Sequence, residues 1–342
     1  MLEIFVPIHT SNKNAGHYFF LTGECSMSVD IGIVMDPIKT IKTSKDSSFA
    51  MLLEAQRRGW RLWYMELNDL FLLENQPMAR MKQLQVQDDP RHWFAFTAER
   101  TAPLNDLDAI LMRKDPPFNM EYIYATYLLE QAEARGSLVV NRPGALRDAN
   151  EKLYTSWFPQ CTPPTLVSRN YQDFNDFLEK HQDIILKPLG GMGGESIFRL
   201  RQQDPNTNVI LETLTAKQSR YAMAQKFIPE ISAGDKRILV VDGEAIPWAL
   251  ARVPQAGENR GNLAAGGSAH GIELSQRDHW IVDQVAPRLK EAGILFAGLD
   301  VIGDYLTEVN VTSPTCIREL DAIYNLNISA VLMDRIEEKL DT

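Results

Sequence analysis

Predicted strands and helices alternate between residues 28 and 150, and this order restricts the fold more than any other feature of the sequence. The apolar stretch SVDIGIVM (28–35) predicts a buried strand, and SSFAMLLEAQRRG (47–59) predicts a helix with a serine N-cap and a terminal glycine. Further strands are predicted at RLWYMEL (61–67) and DAILMRK (108–114). Strands that alternate with helices form a parallel sheet with helices on its faces. Residues 28–150 therefore predict a doubly wound α/β domain.

The chain after residue 150 has a different pattern, in which short predicted strands are joined by tight turns. Asp242 and Gly243 lie between two such strands, and an Asp-Gly pair in this position is a strong signal for a β-hairpin. Antiparallel hairpins mixed with helices are typical of an α+β arrangement. The predicted fold class is therefore α/β for 28–150, followed by α+β for the rest of the chain.

Charge and cysteine usage exclude several classes of protein. Lys plus Arg number 35 against 45 Asp plus Glu, so the net charge is −10, which argues against general nucleic-acid binding. Cys25, Cys161 and Cys316 are far apart and form no CxxC motif, so we expect neither a disulfide framework nor a zinc site. No apolar run reaches the length of a membrane span. These features predict a protein of the reducing cytoplasm with no membrane partner.

The first 27 residues do not fit the pattern of a secretion signal. They lack a basic start and a continuous apolar segment, and the first clear strand begins just after Met27. We therefore expect residues 1–27 to be a disordered extension, and we expect the natural start of the protein to be at Met27.

A glycine cluster in IILKPLGGMGGES (184–196) is a candidate phosphate-binding loop. A Walker A loop has its lysine after the glycines and a helix behind it, but here Lys187 precedes the glycines and the predicted strand SIFRLR follows them. The glycines therefore cap a hairpin, where a backbone without Cβ atoms can approach a ligand closely. Lys187 would add a fixed charge. A turn without a ligand explains the loop equally well.

Oxygen-bearing side chains near the C-terminus form a second candidate site. Glu308 and Asn310 are two residues apart on a predicted strand and so share one of its faces, and Asp300 lies on the preceding strand. Three oxygen ligands suit a hard cation such as Mg²⁺. Alternation along the strand equally permits these side chains to face solvent.

The length of the turn between these strands decides whether the carboxylates meet. With a two-residue turn at Gly303-Asp304, Asp300 would lie opposite Thr307 and would share no face with Glu308. With a three-residue loop at 303–305, Asp300 lies opposite Glu308. Three-residue hairpin loops are common, and we predict this register.

Four further stretches are weaker candidates. Arg113 ends a strand of the doubly wound domain, where ligands of such folds bind. Residues 225–228 (QKFI) lead out of a strand whose edge could bind a purine, and Arg237 begins a strand in GDKRILVV, where a solvated turn is the alternative. The glycine-rich stretch 252–271 carries Arg260 and predicts either a lid over an anionic substrate or a plain linker.

Taken together, these motifs resemble the bacterial type of glutathione synthetase, within the ATP-grasp ligase superfamily. The stretches that carry the resemblance are IGIVMDPI, KDSSFAMLLEAQRRG, ILMRKDPPF, RGNLAAGG and TEVNVTSPTCIREL. It runs from about Met27 to the C-terminus, and residues 1–26 have no counterpart. It implies an ATP-grasp fold with an N-terminal Rossmann-like (pre-ATP-grasp) domain over 28–150. A lid subdomain at 151–230 and a C-terminal subdomain at 231–342 with a mobile substrate loop at 253–270 would follow.

The resemblance also implies a reaction. It is the ADP-forming ligation of γ-glutamylcysteine to glycine through an acyl phosphate, with ATP as co-substrate, Mg²⁺ or Mn²⁺ as cofactor and a homotetramer as the assembly. Two alternatives are another ATP-grasp carboxylate–amine ligase with a different substrate and a regulatory ATP-binding protein with an inactive site.

The resemblance assigns roles to the matching residues. The implied ATP-binding set is Lys152, Lys187, Gly190, Gly191, Met192, Gly193, Gly194, Gln225, Lys226, Phe227, Ile228 and Asp235. The implied metal ligands are Asp300, Glu308 and Asn310. The implied peptide-binding set is Arg113, Arg237, Arg260, Ser313, Pro314 and Thr315, of which Arg237 and Arg260 would also act in catalysis. One departure is Ser268, which stands where the family's lid usually has a further basic residue.

Overall fold

The computed structural model describes residues 29–191, 194–255 and 267–341, and the expected extension at 1–27 lies outside them. The described chain contains three sheets. The elements of the first are β1 (Asp30–Val34), α1 (Ser47–Arg57), β2 (Arg61–Met65), β3 (Leu70–Leu73), β4 (Gln76–Val86), β5 (Phe94–Pro103), β6 (Ala109–Met112), α2 (Met120–Glu133), β7 (Leu138–Val140) and α3 (Pro143–Asp148).

The first sheet combines a parallel centre with an antiparallel edge. Its strand order is β3-β4-β2-β1-β6-β7, and the contacts among β2, β1, β6 and β7 are parallel, as predicted. The antiparallel strands β3, β4 and β5 were not predicted. Helix α1 begins after Asp46, whose carboxylate accepts a hydrogen bond from Phe49 N at 2.6 Å, so the predicted serine N-cap is wrong.

The second sheet is small and antiparallel. Its elements are β8 (Thr165–Ser168), α4 (Tyr171–His181), β9 (Asp183–Pro188), β10 (Phe198–Arg201), α5 (Thr207–Leu214) and β11 (Ala222–Lys226), with strand order β10-β9-β11-β8. Strands β9 and β10 pair on either side of the glycine cluster, which confirms the predicted strand–loop–strand arrangement. Phe174, Leu186 and Leu200 belong to a core cluster confined to this sheet and its helices. The subdomain therefore has an apolar core of its own.

The third sheet is also antiparallel, with strand order β14-β13-β12-β15-β16. Its elements are β12 (Asp235–Val241), β13 (Glu244–Val253), β14 (Ser268–Glu273), α6 (Gln276–Ala292), β15 (Phe296–Ile302), β16 (Tyr305–Asn310), α7 (Ile317–Tyr324) and α8 (Ile328–Leu340). The predicted turn at Asp242-Gly243 joins β12 to β13, and both residues have positive φ angles (46° and 75°), as tight hairpin turns require.

The pairing of β15 with β16 agrees with the prediction, but a different feature of the hairpin produces it. Asp300 lies opposite Glu308, which confirms the predicted pairing. The turn nevertheless has two residues, because Ile302 pairs with Tyr305, so the predicted three-residue loop is wrong. The register shifts between Asp300 and Val301, which leaves Thr307 as the extra residue of a β-bulge. The bulge, and not a longer turn, therefore brings Asp300 opposite Glu308.

The first and third sheets share their apolar cores. One buried cluster contains Val34 and Ile110 from the first sheet together with Ile238 and Val309 from the third. The buried side chain of Asn141 adds a polar connection, since its Nδ2 donates to the carbonyls of Phe296 and Val311, both at 2.7 Å. These two sheets therefore form a common base. The three sheets fall within 28–150, 151–230 and 231–342, and the boundaries themselves stay a prediction.

Candidate functional site

A cleft of about 490 Å³ is bordered by strands of the second and third sheets and by loops that follow β1 and β6 of the first. Most of the sequence-predicted site residues line it. They are Lys152, Lys187, Gly191, Gly194, Gln225, Lys226, Phe227, Ile228, Asp235, Arg237, Asp300, Glu308, Asn310, Ser313, Pro314 and Thr315. Gly190 and Arg113 are described residues that do not line it, and Met192, Gly193 and Arg260 lie outside the described residues.

Two buried lysines approach one carboxylate inside this cleft. Lys152 precedes the short 3₁₀ helix Leu153–Trp157 and Lys187 lies on β9, and each Nζ is 3.9 Å from Oε1 of Glu308. Burial lowers the pKa of Lys187. Burial also acts to lower the pKa of Lys152, but the carboxylates of Glu308 and Glu151 outweigh it and raise that pKa. The pair therefore offers concentrated positive charge to an anionic ligand.

Lys152 also holds the glycine loop. Its Nζ donates to the carbonyl of Gly191 at 3.0 Å and lies 2.5 Å from Oε1 of Glu151. Gly191 has a φ angle of 110°, which L side chains rarely adopt, and a Cβ added at Gly190 would meet no atom within 4 Å. The loop thus needs glycine at 191 for its backbone conformation, whereas Gly190 leaves open space beside the cleft.

Asp300 is held by two arginines, Arg237 from β12 and Arg252 from β13. Arg237 Nε lies 2.5 Å from Oδ1, and Arg237 Nη2 and Arg252 Nη2 both lie 3.0 Å from Oδ2. Burial would raise the pKa of Asp300, but the charges of the two arginines outweigh it and hold the pKa well below its usual range. Asp300 is therefore a carboxylate at every physiological pH.

Arg252 is the main site residue that the sequence analysis missed. It lies opposite Asp235 on β13, with Nη2 2.5 Å from Asp235 Oδ2, and it lines the cleft. A lone cation in the apolar run AIPWALARV was the available signal, because buried arginines are rare unless they are paired.

Asp235 has one oxygen that its neighbours leave unsatisfied. Among the described residues, no group donates a hydrogen bond to Oδ1, although this atom is buried. Burial raises the pKa of Asp235 to about 7, against the opposing effect of Arg252. A ligand donor in the cleft would satisfy this oxygen, which fits a nucleotide hydroxyl.

The predicted metal ligands bring oxygen donors for a hard cation to one face of the hairpin. Glu308 and Asp300 face each other across the hairpin, and Asn310 lies 3.3 Å from Asp300 through its Nδ2. In the part of the chain that the structure describes, no three His, Cys, Asp or Glu side chains cluster as a metal site. A cation here would therefore use two carboxylates and an amide oxygen, a set that suits Mg²⁺ or Mn²⁺. Asp300 would share its oxygens with the arginines.

Arg113 lies behind the cleft wall instead of within the cleft. Its Nη2 donates to the carbonyl of Pro314 at 2.8 Å, its Nε donates to Ser48 Oγ at 3.0 Å, and its guanidinium lies over the ring of Phe296. Burial lowers the pKa of Arg113. In this arrangement Arg113 fixes the segment 313–315, whose three residues line the cleft.

Two family models and many relatives of known activity match this chain. Residues 29–147 match the N-terminal domain of prokaryotic glutathione synthetase, and residues 151–325 match the ATP-grasp domain of the same family. A glutathione synthetase of Vibrio vulnificus (strain YJ016) is 60% identical over 314 residues, which cover 92% of this chain and 99% of the relative. One from Pseudomonas syringae pv. tomato is 62% identical over 314 residues, covering 92% and 98%.

Distant solved structures share the fold. The ATP-grasp ligase PsnB, complexed with a minimal precursor, Mg and ADP, has a TM-score of 0.60 at 16% identity and covers 92% of this chain and 100% of its own. The D-cycloserine synthetase DcsG has a TM-score of 0.61 at 12% identity and covers 90% and 99%. Within the described residues, no helix is both long and apolar enough to cross a lipid bilayer. The predicted ATP-grasp fold and the resemblance drawn from the motifs are confirmed, and the chain belongs to the prokaryotic glutathione synthetase family.

Proposed function

We propose that this chain joins γ-glutamylcysteine to glycine and converts ATP to ADP and phosphate. The observation that carries the proposal is the meeting of Lys152, Lys187 and Glu308, from three separate elements, in one cleft. The family membership and the glutathione synthetases of similar length support the choice of substrates.

The reaction has two steps with a balanced exchange of groups. An oxygen of the cysteinyl carboxylate attacks the γ-phosphorus of ATP, the bond to ADP breaks, and an acyl phosphate forms. The amine of glycine then attacks the acyl carbon, phosphate leaves with the bonding electrons, and the nitrogen gives up a proton to complete the amide. A free carboxylate is a poor electrophile, so the first step creates the leaving group for the second.

The chain's own residues act mainly through charge and position. Lys152 and Lys187 neutralise the phosphates of ATP, and Gly191 and Gly194 line the same cleft beside them. Arg237, supported by Arg252 on the same carboxylate, faces the acyl phosphate. A cation held by Asp300, Glu308 and Asn310 supplies further positive charge near the phosphates when it is bound.

The roles of the remaining residues are assigned from the part of the cleft that each one lines. Residues 225–228 leave β11 where the base of the nucleotide would lie, and the unsatisfied oxygen of Asp235 faces the ribose. Ser313, Pro314 and Thr315 contact the peptide, with Arg113 supporting them from behind. The resemblance also assigns Arg260 to peptide binding, and this residue lies outside the described part of the chain.

The same proposal includes an assembly and a compartment. We assign the chain to a homotetramer, and an exposed apolar stripe on α2 supports a subunit contact there. Met120, Tyr124 and Tyr127 are 52%, 52% and 48% exposed, and their spacing places them on one helix face. We assign it to the cytoplasm because the described cysteines, Cys161 and Cys316, are buried free thiols.

One assay tests the reaction. ADP release is measured from MgATP and γ-glutamylcysteine, with and without glycine, and the peptide product is identified by mass spectrometry. We expect ADP release that depends on glycine and matches glutathione formed. ADP release that needs a different amine would indicate another ATP-grasp ligase, and the absence of any turnover would contradict the proposed function.

A further inference from the structure

Arg199 on β10 packs against a residue that lines the nucleotide side of the cleft. Its guanidinium carbon lies 3.4 Å from the centre of the Phe227 ring. Phe227 follows β11 and faces the cleft together with its neighbours Lys226 and Ile228. Arg199 belongs to none of the sequence-predicted site residues and does not itself line the cleft.

Asp183 fixes both partners of this contact. Its carboxylate accepts two hydrogen bonds from Arg199, from Nε at 2.9 Å and from Nη2 at 2.6 Å. Its backbone carbonyl accepts a hydrogen bond from the N–H of Phe227 at 3.0 Å. One residue therefore determines the position of the cation and the backbone position of the ring beneath it.

A planar guanidinium held in two places restricts a stacked ring more than a flexible cation would. A bidentate Arg–carboxylate pair has a fixed orientation, and a cation over an aromatic face adds a favourable electrostatic contact. The Arg199 side chain is 23% exposed, so this contact is partly shielded from water. The stacked guanidinium thus restricts the orientations open to the Phe227 ring at the cleft wall.

We propose that Arg199 is a positioning residue for nucleotide binding, which acts through Phe227 on the base of ATP. The proposal rests on the proposed function, because it takes residues 225–228 as the wall that contacts the base. Ordering the ring in advance removes part of the entropy that binding would otherwise lose. Arg199 therefore affects nucleotide affinity and not the chemical steps, which occur beside the lysines and Glu308.

The chain contains a matched control for this residue. Arg201 lies two residues along the same strand and also pairs with Asp183, with Nε 3.5 Å from Oδ2. Its side chain is 69% exposed, and it stacks on no aromatic ring in the described part of the chain. Arg199→Gln removes the stacked cation, whereas Arg201→Gln removes a similar charge from the same carboxylate without touching Phe227.

The first measurement is the Kd for MgADP by calorimetry, together with KM for ATP and kcat. For Arg199→Gln we expect Kd and KM to rise about three- to thirtyfold, with kcat nearly unchanged. Arg201→Gln should leave all three values near those of the parent chain. Equal effects of the two substitutions, or a fall in kcat without a change in Kd, would overturn the proposal.

A double-mutant cycle tests whether Arg199 acts through the ring. In a Phe227→Leu background, Arg199→Gln should weaken MgADP binding little further, because the contact that it removes is already absent. Additive losses would show that Arg199 acts by another route. Thermal unfolding of each variant checks that it is folded. MgADP binding is measured without peptide ligation, so a chain that binds MgADP but fails to make glutathione would contradict the proposed reaction and not this inference.

Discussion

Asp300 and Glu308 lie directly opposite each other on β15 and β16, yet their charged partners differ. Asp300 is 3% exposed and bound by Arg237 and Arg252, whereas Glu308 is 3.9 Å from two lysine ammonium groups and open to the cleft. One carboxylate thus belongs to a buried ion cluster and the other is available to a ligand. Substitution of Asp300 should therefore affect mainly the stability of the fold, and substitution of Glu308 should affect mainly ligand binding and activity.

Replacement of Glu308 tests the assigned cation site. In Glu308→Ala we expect kcat to fall at least about a hundredfold, because the main accessible carboxylate for the cation is lost. The chain should remain folded, since this side chain is part-exposed and the buried ion cluster is retained. Steady-state rates over a range of Mg²⁺ concentrations give the measurement.

Asp304→Ala is the matched control, because Asp304 is an exposed carboxylate in the turn of the same hairpin. It should turn over at the parent rate. Near-normal activity in Glu308→Ala would remove Glu308 from the metal set.

Arg252 should matter for stability as well as for activity. Arg252→Met leaves the buried carboxylates of Asp235 and Asp300 with one arginine fewer, and breaking a buried ion cluster in this way costs about 3–5 kcal/mol. Urea unfolding measures the loss. Arg335→Met, which removes surface ion pairs with Glu338 and Glu244, should change the unfolding midpoint little. A midpoint for Arg252→Met equal to that of the parent would show that the ion cluster does not stabilise the fold.

Local patterns in the sequence predicted the parallel centre of the first sheet, the glycine hairpin and the pairing of Asp300 with Glu308. They could not predict which long-range neighbour a buried charge would find. Arg252 meets Asp235 because β13 pairs with β12, and Arg113 meets Pro314 because α/β and α+β parts share a core. The sequence also could not predict the bulge at Thr307, since a bulge and a longer turn both place Asp300 opposite Glu308.

The exposed stripe on α2 predicts a change in assembly. A glutamate at position 124 would place an unpaired charge in the centre of a subunit contact, where burial without a partner is costly. Tyr124→Glu should therefore halve the molar mass measured by light scattering. Val209→Glu is the control, because Val209 is also exposed (56%) but lies on α5. A parent chain that is monomeric, or a variant of unchanged mass, would contradict the contact.

Asp235 should make stability depend on pH in a direction opposite to that of an ordinary ion-paired carboxylate. Burial raises its pKa to about 7 in the folded chain, whereas an unfolded aspartate titrates near 3.9. Between these values the folded state binds more protons than the unfolded state, so the stabilising contribution is lost as pH rises from about 4 to about 7. The pKa of Asp300 is lowered, so its contribution changes only below this window.

Asp235→Asn isolates the effect, because asparagine has nearly the same shape and does not titrate. Urea unfolding of both proteins is compared at pH 5, 6, 7 and 8. The free energy of unfolding of the parent chain, relative to that of the variant, should fall with pH by at most about 1.4 kcal/mol per unit up to pH 7, and then level off. A difference that stays constant or grows over this range would show that Arg252 keeps Asp235 ionised in the folded chain, and that the ion pair outweighs the effect of burial.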